Sequence, residues 1–261
     1  MNSMLLEVLY GMFIGLSLGL TGAGGSIITV PILIYLIGLN IHEATGTSLL
    51  IVGSGALYGA MGYAFGKEKR VHWRLGTLLA FAGILGAYLG SYVNALLPGY
   101  VVMDVFAGLM LVIGVFMFRG HRQTEVQHQP TLKNLRSTRQ WVVFLSAGLL
   151  IGLLTGFFGV GGGFLIVPIL TILLKFPLHD ALATSLFVIA LNSVWGLLFR
   201  LAGVGAIQLG VALFLLIGTI LGMTIGIVIA RKVNTSMLSK FFAGFVVLTA
   251  FYMLFRSWFQ F

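Results

Sequence analysis

The sequence predicts an all-α polytopic membrane protein made of two inverted repeats. Three observations carry that prediction. Of 261 residues, 59% are hydrophobic and 8% charged, with a mean hydropathy of +1.09. A soluble domain is nearer a quarter charged, so this chain lacks the polar surface to stay in water. The chain also repeats itself: residues 15–49, GLSLGLTGAGGSIITVPILIYLIGLNIHEATGTSL, align without a gap with residues 152–186, GLLTGFFGVGGGFLIVPILTILLKFPLHDALATSL. Finally, each copy is interrupted by a glycine cluster. Duplicated apolar segments broken by unwound backbone are the signature of a secondary transporter with its substrate site at the repeat interface.

Apolar stretches fall at about 4–20, 26–38, 44–65, 75–97 and 101–118, and again at about 141–158, 163–176, 181–203, 207–230 and 236–256. Crossing a hydrocarbon core of ~30 Å takes roughly 20 helical residues. The third to fifth stretches of each half meet or approach that length, and the first is at the limit. The second stretch of each half is too short. It reads as the far arm of a glycine-broken pair, either a re-entrant hairpin or two tilted spans, followed by about three transmembrane helices.

Charge checks the count. The basic segments are GKEKRVHWR (66–74), the stretch 119–139 with Arg119, Arg122, Lys133, Arg136 and Arg139, and Arg231-Lys232. The connections 97–100 and 203–208 carry no charge. If each broken pair makes an even crossing, every basic segment falls on one side, which the positive-inside rule makes cytoplasmic. Each half then crosses an odd number of times, so the halves are inverted and both termini face outside. The expected division is a first transmembrane repeat at 1–118, a polar basic cytoplasmic linker at 119–140, and a second repeat at 141–261.

The formal charge of +9 does not indicate nucleic-acid binding, because the basic residues lie in short clusters between apolar stretches. With no cysteine, disulfides and thiolate metal sites are excluded. No cofactor is expected. No metal site is expected either: His42-Glu43 and His179-Asp180 are sequence neighbours and would not face one ion together on a helix. GAGGS is not a GxGxxG fingerprint opening a βαβ unit, and no catalytic motif such as HExxH is present.

The glycine clusters carry the chemistry. Gly22, Gly24 and Gly25, with Gly159, Gly161, Gly162 and Gly163, permit positive φ and close approach to the main chain. The short helix after each cluster points its N-terminus, with free N–H groups and partial positive charge, back at the break. If two breaks meet near the midplane, they form a site for a small anion held by backbone. Pro31 and Pro168 either start the short helices near Val30 and Val167 or kink them. Ser26 aligns with Gly163, making the two sides unequal. Thr47, Ser48, Thr184, Ser185 and Asn192 could add uncharged donors. Arg200 is a basic residue within an apolar stretch, able to bind an anion or to snorkel to the interface. His42 with Glu43, and His179 with Asp180, either stabilise helix N-termini or form proton-coupling pairs. The partners implied are a small anionic substrate and the lipid bilayer; a homodimer stays open.

The paired GxGG(G)…VP(I)L…HxA…TSL blocks, each followed by a GxxxG helix, resemble the sulfite exporter TauE/SafE family of bacterial membrane permeases. The resemblance spans nearly the whole chain. It implies about eight transmembrane helices in the inner membrane and export of a small sulfur-containing anion, such as sulfite or an organosulfonate. By position, Gly22–Gly25, Pro31, Thr47 and Ser48, with Gly159–Gly163, Pro168, Thr184 and Ser185, match its blocks. The expected mechanism is alternating access. The alternatives are a passive anion channel, a permease for another small anion or carboxylate, and, more remotely, a membrane enzyme or assembly subunit. Replacing Gly24 or Gly161 by Val is expected to abolish transport without impairing membrane insertion; undiminished flux in both variants would remove the backbone-site idea.

Overall fold

The computed structural model describes residues 2–22, 24–65, 70–118, 138–158, 166–167, 169–174, 176–202, 207–230 and 232–233, with scattered positions between 237 and 255. Every regular element among these residues is helical. The first half holds α1 (Asn2–Thr21), the short α2 (Gly24–Pro31), a π-helical turn π1 (Ile32–Leu36), α3 (Ile41–Ala64), α4 (Trp73–Leu96) and α5 (Gly99–Phe118). The second half holds α6 (Thr138–Phe158), the turn π2 (Ile169–Leu173), α7 (Leu178–Ala202) and α8 (Leu209–Ala230).

Met4–Thr21, Trp73–Leu96, Leu178–Leu198 and Leu209–Ala230 are each long and apolar enough to cross a membrane. The outward surface is apolar as well, with Leu5, Phe81, Leu85 and Leu213 among its exposed side chains. Although α3 is 24 residues long, it is rich in Gly, Ser and Thr. Residues 44–49 of this helix are all buried, so protein rather than lipid surrounds that face.

The proline expectation resolves toward the kink. Instead of starting near Val30, α2 starts at Gly24 and contains Pro31 at its end. Proline has no N–H to continue the α-helical ladder, and the backbone changes to π geometry in the next residue. There Ile37 N–H donates to the Ile32 carbonyl at 3.1 Å and Leu39 N–H to that of Leu33 at 2.9 Å. Leu174 to Ile169, at 3.1 Å, and Phe176 to Leu170, at 2.9 Å, repeat both bonds in the second half.

Glycine stripes set the main packing. Helices α1 and α8 run parallel: Gly11 lies against Leu215, Gly15 against Thr219, and Gly19 against Met223 and Gly226. A Cβ at Gly15 would land on the Thr219 carbonyl oxygen, and one at Gly222 on that of Met12. Helices α4 and α6 do the same through Gly83, Gly86 and Gly90 against Gly148, Gly152 and Gly156. Small residues permit this depth of contact, which supplies the dispersion and packing that hold helices together in lipid. Both pairs join one half to the other. The partners exchange consistently: the first helix of each half lies against the third long helix of the opposite half.

At the centre, α3 packs against α7 with opposite direction. Gly59 meets Leu186, Gly53 meets Ser193, and Leu49 meets Gly196. In the repeat alignment Leu49 corresponds to Leu186 and Gly59 to Gly196. The first and last of these contacts are therefore images of each other about a local two-fold axis near Ser54 and Leu191. The largest apolar core gathers here from both halves, including Leu18, Val52, Leu79, Ile151, Leu182, Ile189 and Met223.

Gly15→Leu and Gly152→Leu should each lower the melting temperature in detergent, at a cost of about 1–3 kcal/mol or more from overpacking. Gly108, where an added Cβ would meet nothing within 4 Å, is the control: Gly108→Ala should leave thermal unfolding unchanged or raise its midpoint. Equal tolerance at all three positions would contradict the packing account.

Candidate functional site

The described break lies between α1 and α2. Gly22 has φ +69°, a left-handed conformation that side chains rarely adopt. A Cβ there would also sit 2.8 Å from Leu182 Cδ2 and 2.9 Å from Leu182 Cα. Both conformation and space therefore demand glycine. Ser185 Oγ lies 3.0 Å from the Gly22 carbonyl and 2.8 Å from that of Leu182, sharing its proton between them. The break of one half is thus seated on the long helix of the other.

Its donors are partly used. Gly22 N–H donates to the Leu18 carbonyl at 2.8 Å. Thr21 Oγ1 accepts from Gly24 N–H at 2.6 Å, capping α2, and donates to the Ser17 carbonyl at 2.7 Å. The expectation that Gly24 offers its N–H freely is corrected on this point: the preceding threonine reaches it first. Gly25 serves packing, since a Cβ there would lie 2.6 Å from both the Ile14 carbonyl oxygen and Leu18 Cβ. The break also lies off the local two-fold axis. Counting along α7 from Leu191 to Ser185 and Leu182 gives a displacement of about 9–14 Å at 1.5 Å per residue.

What lies beside the axis is a pair of polar side chains. Asn192 and Ser193 are each 2% exposed. Among the described residues, Asn192 Nδ2 and Ser193 Oγ have no hydrogen-bond partner. Ser193 faces α3, where a Cβ at Gly53 would lie 2.6 Å from its Cβ. Asn192 faces α4, where a Cβ at Gly83 would lie 3.5 Å from Nδ2. Ser48 Oγ, on fully buried Ser48, is a third such atom. An unmade buried hydrogen bond costs about 1–3 kcal/mol, and no water in a bilayer core offsets it.

Two clasps close the ends. Asn40 Oδ1 caps α3 by accepting from Glu43 N–H at 2.9 Å. The Glu43 carboxylate in turn accepts from Gln208 Nε2 at 3.1 Å, while Thr47 Oγ1 accepts from Gln208 N–H at 3.2 Å. At the corresponding place on α7, Asp180 Oδ2 is 3.1 Å from His72 Nε2, and Thr184 Oγ1 accepts from His72 N–H at 3.2 Å. Arg70 Nη1 adds a contact at 3.7 Å to Asp180 Oδ1, and the Phe176 ring packs edge-on to the His72 imidazole with centroids 5.3 Å apart. Both clasps link one half to the other. Because α3 and α7 are antiparallel helices of 24 and 25 residues, the clasps lie at opposite ends, with Glu43 and Asp180 about 33 Å apart along the pair at 1.5 Å per residue.

The structure brings together Gly22, Leu182 and Ser185 at the break, and Asp180 and Thr184 at the adjoining clasp. Glu43 and Thr47 form the opposite clasp, with Asn192 between. Ser26 is fully buried in α2. Gly159, Gly161, Gly162, Gly163 and Pro168 lie outside the described residues, as do the side chains of His42 and Arg200. Glu43 and Asp180 take carboxylate partners from the opposite half, Gln208 and His72. Sequence reasoning missed Arg70, His72, Ser193 and Gln208. The usable signal was positional: His72 precedes Gly86 and Gly90 by the same spacing with which Gln208 precedes Gly222 and Gly226.

Two halves that exchange partners around buried polar groups are the architecture expected of a membrane transporter. The chain matches the family described as Sulfite exporter TauE/SafE over residues 7–253, and it belongs to that family. It is similar to a "Probable membrane transporter protein" of Xylella fastidiosa, 33% identical with 98% of this chain and 97% of that protein covered. The same description is given to Bacillus subtilis YunE, 28% identical with 89% and 90% covered. It is also given to MJ0441 of Methanocaldococcus jannaschii, 25% identical with 88% and 87% covered. No solved structure matches the chain.

A double-mutant cycle on Asp180→Ala and His72→Ala should give a coupling of about 1.5–3 kcal/mol, the range for a hydrogen bond to a charged group. Thermal unfolding in detergent measures it. Additive effects would show that the 3.1 Å contact contributes no energy.

Proposed function

We propose that the protein is a secondary transporter exporting a small sulfur oxyanion or organosulfonate across the bacterial inner membrane, with the basic segments cytoplasmic. The observation that carries the reading is the pair of buried donors at the local two-fold axis, Asn192 Nδ2 and Ser193 Oγ, which have no partner among the described residues. An oxyanion supplies the acceptors these donors lack, and their neutrality keeps binding reversible. Ser185 and the Gly22 break lie farther along the same helix, with the backbone of the second break as their expected counterpart. The antiparallel α3–α7 contact and the reciprocal pairing of α1, α4, α6 and α8 support two inverted halves that rock against each other. Clasps made at both ends fit a carrier with closed intermediates better than a continuously open channel. A negative-inside potential favours outward movement of an anion. The family description supports a sulfur anion as the first class to try.

The test is thermal stabilisation of the purified protein by sulfite, sulfate, thiosulfate, sulfoacetate, acetate, phosphate and chloride. Sulfite or a sulfonate should stabilise selectively, and Asn192→Leu should abolish the shift while leaving the ligand-free melting temperature unchanged or higher, because no protein hydrogen bond is lost. A full sulfite response in Asn192→Leu would discard the axial site. A response to carboxylates alone would discard the substrate class.

A further inference from the structure

We infer that the units moving against each other in transport are not the two repeats as they run in the sequence. They are two exchanged bodies: α1, α2, α3 and α8 form one, and α4, α6 and α7 the other. The inference rests on the alternating-access reading above and adds where the molecule divides.

Backbone packing draws the division first. The seams α1–α8 and α4–α6 each join a helix of one repeat to a helix of the other, with glycines seated on the neighbour's carbonyl oxygens. Contacts that deep resist sliding, because a shift along the seam would drive side chains into backbone. Parting the repeats would break both seams at once. The central helices take the same sides. A Cβ at Gly55 of α3 would meet Thr219 of α8 and Leu18 of α1, and one at Gly76 of α4 would meet Phe187 of α7.

Hydrogen bonds draw the same line. In the first body Gln208, just before α8, holds Glu43 and Thr47 of α3, and Tyr58 Oη of α3 lies 3.0 Å from Thr224 Oγ1 of α8. In the second, His72, just before α4, holds Asp180 and Thr184 of α7, and Asn94 Nδ2 of α4 donates to the Phe157 carbonyl of α6 at 2.6 Å. Each clasp therefore braces one body and stays closed as that body moves. Between the bodies the contact changes character. Gly53, Gly59 and Gly196 face the side chains of Ser193, Leu186 and Leu49, which can change rotamer. The bodies also approach at the break, where Gly22 lies against Leu182. Ser185 crosses there, but its proton is shared with the Leu182 carbonyl of its own helix at 2.8 Å. It can release Gly22 without losing its acceptor, so parting there leaves no orphaned donor.

The chain has no cysteine, so thiol pairs can be introduced and closed by oxidation. Gly62→Cys with Ile227→Cys bridges α3 and α8 within the first body, where a Cβ at Gly62 would lie 3.5 Å from Ile227 Cδ1. Gly76→Cys with Phe187→Cys bridges α4 and α7 within the second, where a Cβ at Gly76 would lie 2.7 Å from Phe187 Cδ1. Leu49→Cys with Gly196→Cys bridges the two bodies, where a Cβ at Gly196 would lie 3.2 Å from Leu49 Cδ1. Every pair joins one repeat to the other, so repeats rocking as sequence halves would lose transport with all three. Efflux of radiolabelled sulfite, and of isethionate, from proteoliposomes is compared before and after oxidation. The two within-body crosslinks should leave flux at its reduced level. The Leu49–Gly196 crosslink should stop it, and dithiothreitol should restore it. Gly59→Cys with Leu186→Cys, the image of that pair, takes its place if the reduced form is inactive.

Loss of flux in either within-body crosslink, or full flux through the cross-body crosslink, would overturn the division while leaving the parent's transport standing. A pair whose thiols do not close would contradict the contact on which the division is drawn. Absence of flux of both anions through the parent would remove the sulfur-anion carrier reading, and the exchanged bodies with it.

Discussion

Everything in this fold depends on how closely two backbones can approach inside a membrane. Lipid tails are as apolar as leucine, so burying apolar side chains gives helices little reason to associate there. Contact depth must supply the cohesion, and glycine supplies the depth. Along α1–α8 and α4–α6 the missing side chains coincide with the neighbour's carbonyl oxygens. Each seam takes one helix from each half. Neither half therefore completes its own packing, and the positions of α3 and α7 follow from seams made on either side of them.

The centre is built differently from the seams. Between α3 and α7, glycine faces a side chain rather than a backbone: Gly53 faces Ser193, Gly59 faces Leu186, and Gly196 faces Leu49. That contact is shallower, and it is where Asn192 Nδ2 and Ser193 Oγ have no partner among the described residues. The same region carries the break and, at its two extremities, the clasps. Cohesion and the candidate site are thus separated in space. Paired helices outside hold the molecule together, and a looser antiparallel pair inside holds the polar groups proposed to meet a solute.

The membrane class, the duplicated halves and the helix order were legible because hydropathy and repeat register act over long stretches. Pro31 was ambiguous in one dimension, since a first-turn proline and a proline ending a helix give the same local pattern. The structure places it at the end of α2, where the ladder loses a donor. Gly25 looked like a binding residue because clustering cannot distinguish a glycine needed by a ligand from one needed by α1. Thr21 could not be seen as the cap of Gly24, because the aligned position in the second half is Phe158 and the duplication gave no support. His72 and Gln208 were hidden for the opposite reason. They are unlike residues at equivalent places, and a search for identities passes over a pair that shares only its geometry. Asn192 stood out as a polar residue in an apolar helix, whereas Ser193 acquires meaning only from the missing side chain at Gly53.

The two halves have also ceased to be interchangeable parts. Gly55 leaves room for Thr219, whose Cγ2 would be 2.7 Å from a Cβ there. At the equivalent place in the other half, Asn192 is accommodated by Gly83. The larger residue sits on the third long helix in one place and on the central helix in the other. Two copies of the first half would set glycine against glycine and leave a hole beside the axis. Two copies of the second would force asparagine and threonine into one space. The chain carries a lock and key cut from one pattern, and a single polypeptide guarantees that each key meets its own lock.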